Sequence, residues 1–162
     1  DWLGQKFDVI VSWLTLYHIL EHKTLLKKCY DLLNNQGFFY AEDIISREPL
    51  NNDELLELSK EIYANTLSNY QDYKLSLKKV GFKLISCKDM SEQWTKFTRD
   101  RVLTYNKNKD RNLRVHGREV VNSLYSFYSF IDRYFSTGKL GGIRIISCKR
   151  VTSINFSRKK SK

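Results

Sequence analysis

Two short segments hold most of the residues whose types could do chemistry. Ser12 to His18 follows one apolar run, and Glu42, Asp43 and Ile44 close another. An imidazole such as that of His18 can orient or deprotonate an amine. A carboxylate at Asp43 can hold an ammonium group or orient an amine. Tyr73 offers a hydroxyl and a ring face, while Trp94, Phe97 and Arg101 share one face of a predicted helix. An arginine on such an aromatic stripe can clamp a carboxylate or phosphate through two hydrogen bonds. Each group also has a structural reading: a helix cap for His18, a cap or loop hydrogen bond for Asp43, core packing for Tyr73, a surface arginine for Arg101. His116 and Arg118, in VHGRE, are weaker candidates for the same cavity, and His22 reads as a surface residue.

Positioning these residues requires a strand-helix-strand unit from Lys6 to Ile44. Phe7 to Leu14 is mostly apolar and suits a parallel strand buried on both faces. Leu25, Leu26, Cys29, Leu32 and Leu33 then recur at helical spacing, and Asn34, Asn35 and Gly37 stop that helix before GFFYAEDI. Parallel strands need a right-handed crossover, and ligands collect at their carboxyl ends, where Ser12 to His18 and Glu42 to Ile44 stand.

Beyond this unit, Asn52 or Asp53 can cap a helix carrying Leu55, Leu56, Ile62 and Tyr63. YKLSLKKVGF aligns Tyr73, Leu77 and Val80 and ends at Gly81. Phe82 to Cys87 and Gly142 to Lys149 alternate as strands. Between them Asp89 and Glu92 have capping-box spacing ahead of the Trp94 helix. Val120 to Phe135 marks a second helix, ended by Gly138, whose aromatic series reads as helix core. Cys87 and Cys148 are expected as packed thiols, neighbours on adjacent strands.

Composition narrows the classes. The 162 residues suffice for one core and show neither a bilayer-length apolar run nor a signal-peptide pattern. The three cysteines have no zinc-type spacing and fit a reducing, cytoplasmic setting. A formal charge of +10 invites a nucleic-acid reading, yet six basic residues and no acidic ones fall within Lys149–Lys162, leaving +4 elsewhere. Residues 151–162 read as a basic, solvated tail, and nucleic acid is disfavoured as a partner. Residues 1–150 read as one partial domain.

In its order β-α-β, helical insertion, α-β, insertion and final β, the segment from Lys6 to Lys149 resembles the carboxyl-terminal half of class I S-adenosylmethionine-dependent methyltransferases. FDVIVSWLTLYHI, GFFYAEDI, YKLSLKKVGF and DMSEQW are most similar to the small-amine N-methyltransferases, which act on sarcosine, dimethylglycine or phosphoethanolamine. The resemblance implies an α/β fold, the second half of a Rossmann-like seven-stranded sheet. Its strands four to seven would be Phe7–Trp13, Phe38–Asp43, Phe82–Cys87 and Ile143–Lys149, the last antiparallel and inserted between the two before it. No two of the seven glycines form a GxG pair, so the family's glycine-rich cofactor loop has no counterpart here. The chain is therefore expected to be a fragment, inactive alone, with an exposed strand edge.

What the resemblance implies for the site follows residue by residue. Ser12, Trp13 and Leu14 leave the first strand where the family packs the adenine and methionine parts of S-adenosylmethionine, unless they only pack the strand end. His18 and Asp43 match a histidine and an aspartate near the methyl-transfer centre. Tyr73 matches a tyrosine whose ring would suit a methylated ammonium group. With Trp94 and Arg101 these residues would receive a small-molecule amine. Alternatives are a methyltransferase acting on RNA or protein, a noncatalytic basic nucleic-acid-binding module, and a scaffold that kept only this half.

Overall fold

A computed structural model describes residues 4–150; the predicted tail at 151–162 lies outside the described residues. The elements run β1 (Phe7–Trp13), a 3-10 turn (Leu16–His18), α1 (His22–Leu32), β2 (Leu33–Ser46), α2 (Asn52–Ile62) and α3 (Tyr70–Val80). They continue through β3 (Phe82–Asp89), α4 (Ser91–Lys107), α5 (Lys109–Ser136) and β4 (Leu140–Lys149). The four strands form one sheet in the order β1-β2-β4-β3. β1 and β2 are parallel, and β4 runs antiparallel to both β2 and β3, between them.

Alternation along β2 divides the molecule into two layers. Phe39, Ala41 and Ile45 face a core completed by Leu26, Tyr73 and Leu77 of α1 and α3 and by Ile143 and Ile145 of β4. On the other side Ile44 joins Leu58, Ile62, Tyr134, Phe135 and Leu140, a core that α2 and α5 close.

β1 is covered on one face only, which corrects the expectation of burial on both. Ile10 packs against the first core, whereas Val9, Val11 and Trp13 project from the opposite face and are exposed. That face of the sheet carries no helix over β1 among the described residues, and Phe38 of β2 is exposed on it too.

Local chemistry sets the helix boundaries. The α2 cap is Asn51, not Asn52 or Asp53: its Oδ1 accepts from the Glu54 amide at 2.9 Å, and its own amide donates to Glu54 Oε2 at 2.8 Å. The buried stripe of α2 is Leu58 and Ile62, an i,i+4 pair, while Leu55, Leu56 and Tyr63 are exposed. Asn69 caps α3 by accepting from the Gln71 and Asp72 amides, and Gly81 ends it at φ +110°. Asp89 Oδ1 accepts from the Ser91 amide at 2.8 Å where α4 begins. The α5 run breaks at Gly117 (φ 79°, ψ 165°), so His116 and Arg118 flank a kink and neither lines the cavity described below. Cys87 pairs with Ile145 and Cys148 with Lys83, so the two thiols sit on adjacent strands without being opposite one another.

Candidate functional site

The carboxyl ends of β1 and β2 open beneath α4 and α5, and a cavity of about 700 Å³ occupies the gap. Trp13, Leu14 and Tyr17 form one wall, Glu42 and Ile44 the base, and Trp94, Phe97 and Arg101 of α4 with Phe127, Tyr128 and Ile131 of α5 the far side. Parallel strands aim their ends at this position, as ligand sites in open α/β sheets require.

The turn that carries the first wall is sharp. Leu14 adopts φ +50°, costly for a residue with a branched side chain, and its amide is held by the Glu42 carbonyl at 2.8 Å. Thr15 Oγ1 donates to the Trp13 carbonyl at 2.8 Å. The indole of Trp13, 65% exposed, stands edge-on to Tyr40 with 6.3 Å between ring centres. Ser12 lies inside β1 opposite Ala41 and does not line the cavity.

Among the described residues Glu42 is the one carboxylate in the lining, and Arg144 Nε (2.6 Å) and Tyr40 Oη (2.5 Å) both donate to its Oε1. Partial burial opposes its ionisation, but these bonds and the Arg144 charge outweigh it and hold the carboxyl below its ordinary value. Among the described residues Arg101 is the one cation in the lining; its guanidinium lies 4.9 Å from the centre of the Tyr128 ring, and Nη2 donates to Tyr128 Oη at 3.1 Å.

Trp94 packs into the space left by Gly142 on its way to the cavity. The Met90 amide donates to the Gly142 carbonyl at 2.8 Å, and the Gly142 amide donates to Ser91 Oγ at 3.2 Å. These bonds seat the start of α4 on β4, with the indole over a backbone that carries no Cβ.

Behind Tyr17 lies a second, buried cluster. Asp43 is fully buried in β2, accepts a hydrogen bond from the Tyr73 hydroxyl, and neither caps a helix nor sits in a loop. Burial pushes its carboxyl up to about 6, against the opposing pull of the Tyr73 hydroxyl, the Ile44 and Tyr17 amides and the charge of His18. Tyr17 is pushed up to about 12 by burial and the Asp43 charge. Tyr73, 1% exposed, therefore sits behind the carboxylate in the core, not on the cavity wall.

His22 is half-buried, which corrects its reading as a surface residue. Its ring meets Tyr73 edge-on at 4.9 Å, and burial lowers its pKa.

His18 belongs to the 3-10 turn and caps no helix. Its ring stacks on Tyr17 at 3.9 Å, and Nδ1 lies 2.9 Å from the Tyr63 carbonyl. A carbonyl only accepts, so Nδ1 carries the proton of the neutral ring and Nε2 is the acceptor.

The structure thus brings Trp13, Leu14, Trp94 and Arg101 to one cavity, joins Asp43 to Tyr73 behind it, and leaves His18 outside the lining, against Tyr17. Tyr17 and Tyr128 have no site role in the sequence reading, and Phe97 enters it as part of the Trp94–Arg101 helix face. Tyr17 could have been found from its place in the segment after β1, next to His18.

No protein-family model matches the chain, and no curated protein matches it. Solved structures do. The chain is similar to Haemonchus contortus phosphoethanolamine N-methyltransferase 2 in complex with phosphomonomethylethanolamine and S-adenosylhomocysteine, with TM-score 0.79, 18% identity and coverage of 89% of this chain and 34% of that one. A Galdieria sulphuraria protein described as a sarcosine dimethylglycine methyltransferase gives TM-score 0.76 at 12% identity, covering 91% and 54%. The cyclopropane synthase MmaA2 from Mycobacterium tuberculosis gives 0.74 at 15%, covering 90% and 56%. The chain spans between about a third and a little over half of the length of these proteins.

Its fold is the mixed α/β fold they share. Among the described residues no helix is long and apolar enough to cross a membrane, and no cluster of three or more potential metal ligands is present.

Proposed function

We propose that this chain forms the acceptor-facing part of an S-adenosylmethionine-dependent methyltransferase whose acceptor is a small-molecule amine. The observation that carries the reading is the aromatic-lined cavity at the carboxyl ends of β1 and β2, in a fold shared with methyltransferases.

The residues present fit one side of the cofactor. Trp13 and Leu14 offer exposed apolar surface at the end of β1, suited to an adenine ring or a methionine chain, with Ser12 behind them. When bound, S-adenosylmethionine supplies an electrophilic methyl group on sulfur. Neither strand-end carboxylate is free for a ribose diol, since Arg144 and Tyr40 engage Glu42 and Tyr73 engages Asp43. In this reading the chain alone lacks the groups for tight cofactor binding.

The remaining roles belong to the chain. A protonated amine has no lone pair to attack with, and the free Nε2 of His18 accepts the proton that must leave. Asp43 biases His18 and Tyr17 electrostatically from behind, held in place by Tyr73, and so acts as a positioning residue. The rings of Trp94, Tyr128 and Tyr17 provide faces for an ammonium group, and Arg101 faces a negatively charged substituent. The helical excursion α4–α5 roofs the cavity and limits water at the reacting nitrogen.

The test is transfer of a labelled methyl group from S-adenosylmethionine to a panel of amines by the protein as its gene encodes it. Label should appear in a small molecule and fall by about a hundredfold or more in His18→Ala. A folded protein that methylates RNA or protein but no amine would overturn the acceptor class.

A further inference from the structure

The acceptor end of the cavity is more apolar, and carries less positive charge, than a phosphorylated amine calls for. Of the cavity's roughly 700 Å³, the Trp13–Leu14 side belongs to the cofactor in the reading above, and the α4–α5 end is left for the acceptor. Its α4–α5 end is walled by Trp94, Phe97, Phe127, Tyr128 and Ile131, and the polar groups there are Gln93, Thr98 and Arg101. Phe97 is 64% exposed and Phe127 42%, so large apolar surface faces the opening.

A phosphate headgroup with nearly two negative charges wants several cationic or amide donors. Among the described residues this lining offers a single guanidinium, already in contact with the Tyr128 ring, and one carboxylate that Arg144 neutralises. The charge balance of the lining is that of a site for one negative charge.

Building on the methyl-transfer reading, we infer that the acceptor is an amphiphile: an amine with an extended apolar body that lies along Trp94, Phe97 and Phe127, and one carboxylate that meets Arg101. The apolar body supplies affinity through buried surface, and the Arg101–Tyr128 pair sets orientation. The ring contact and the Nη2 bond to Tyr128 Oη hold the guanidinium in place, and its other N–H groups are left for the carboxylate.

The experiment is equilibrium dialysis of the 162-residue chain against N-dodecylglycine below its micelle concentration, with glycine and phosphoethanolamine as comparisons. N-dodecylglycine should bind at least about a hundredfold more tightly than glycine, as burial of most of a twelve-carbon chain implies. Phe97→Asp places a charge against the chain, and Arg101→Gln removes the carboxylate partner; each should weaken binding by about tenfold or more.

Both side chains are exposed, so both variants should fold, and circular dichroism checks this. Phosphoethanolamine binding as tightly as N-dodecylglycine would overturn the inference, as would unchanged binding in both variants. Failure of the underlying reading looks different: N-dodecylglycine would bind as expected, yet the full-length protein would methylate no amine. Methylation of small hydrophilic amines with no amphiphile binding would sink the inference alone.

Discussion

The indole of Trp94 lies against the backbone of Gly142 so closely that a Cβ on that glycine would stand 2.4 Å from the ring. Gly142 also exchanges hydrogen bonds with the start of α4, so neither partner can retreat without loosening the other. Gly142→Ala is therefore expected to cost about 1–3 kcal/mol, the usual range for overpacking, and to lower Tm by several degrees. In a Trp94→Ala background the same substitution should cost much less. Equal costs in both backgrounds, measured by thermal unfolding, would show that the ring is not the obstacle.

Asp43 gives the fold a pH dependence of definite sign. Its carboxyl is raised from 3.8 to about 6 in the folded chain, chiefly by burial. The stability tied to its neutral form is full below the unfolded value and is lost as pH rises through the folded one. Relative to Asp43→Asn, the wild-type chain should lose about 2 kcal/mol between about pH 4 and about pH 7. Parallel stability profiles from urea unfolding across that range would contradict the assignment.

The edge position and bare face of β1 predict self-association. Val9 and Val11, 53% and 48% exposed, lie on a strand that, among the described residues, pairs with β2 alone. Val11→Lys should reduce light scattering in concentrated solution while changing stability by less than about 0.5 kcal/mol. Scattering unaltered by this lysine would place the sticky surface elsewhere.

Glu57 of α2 accepts from Arg133 Nη2 at 2.5 Å and from the buried Tyr134 hydroxyl at 2.6 Å, latching α2 to the end of α5. Both ion-pair partners are largely exposed, so Glu57→Gln should lower global stability by less than about 1 kcal/mol. Its visible effect should be local: faster amide exchange in the last turns of α5. Exchange that is uniform with wild type would mean that the latch carries no local stability.

Much of this fold is readable from periodicity. Leu25, Leu26 and Cys29 announce α1, and Tyr73, Leu77 and Gly81 place α3 almost to the residue, because an amphipathic face and a left-handed glycine are local features. The α2 cap was missed by one residue, since Asn51, Asn52 and Asp53 are all competent caps and only the reciprocal bond with Glu54 selects among them. The one-sided burial of β1 depends on which helices cover which face, which an apolar run does not encode.

Of the candidate site, Trp13, Leu14, Trp94 and Arg101 were legible from strand ends and helical spacing. The Asp43–Tyr73 bond, the His22–Tyr73 contact and the Trp94–Gly142 approach join residues about 30 to 50 positions apart, beyond any local pattern.

The placement of β4 has a consequence for how the molecule is made. The strand that comes last in the chain fills a central slot of the sheet, and at its end Lys149 Nζ donates to the Tyr30 and Leu33 carbonyls at the close of α1. On a ribosome, β2 and β3 emerge long before the strand that must join them, so each waits with an edge open to other chains. The sheet can close only when Leu140–Lys149 has cleared the exit tunnel, so β2 and β3 keep an open edge for as long as α4 and α5 are being made.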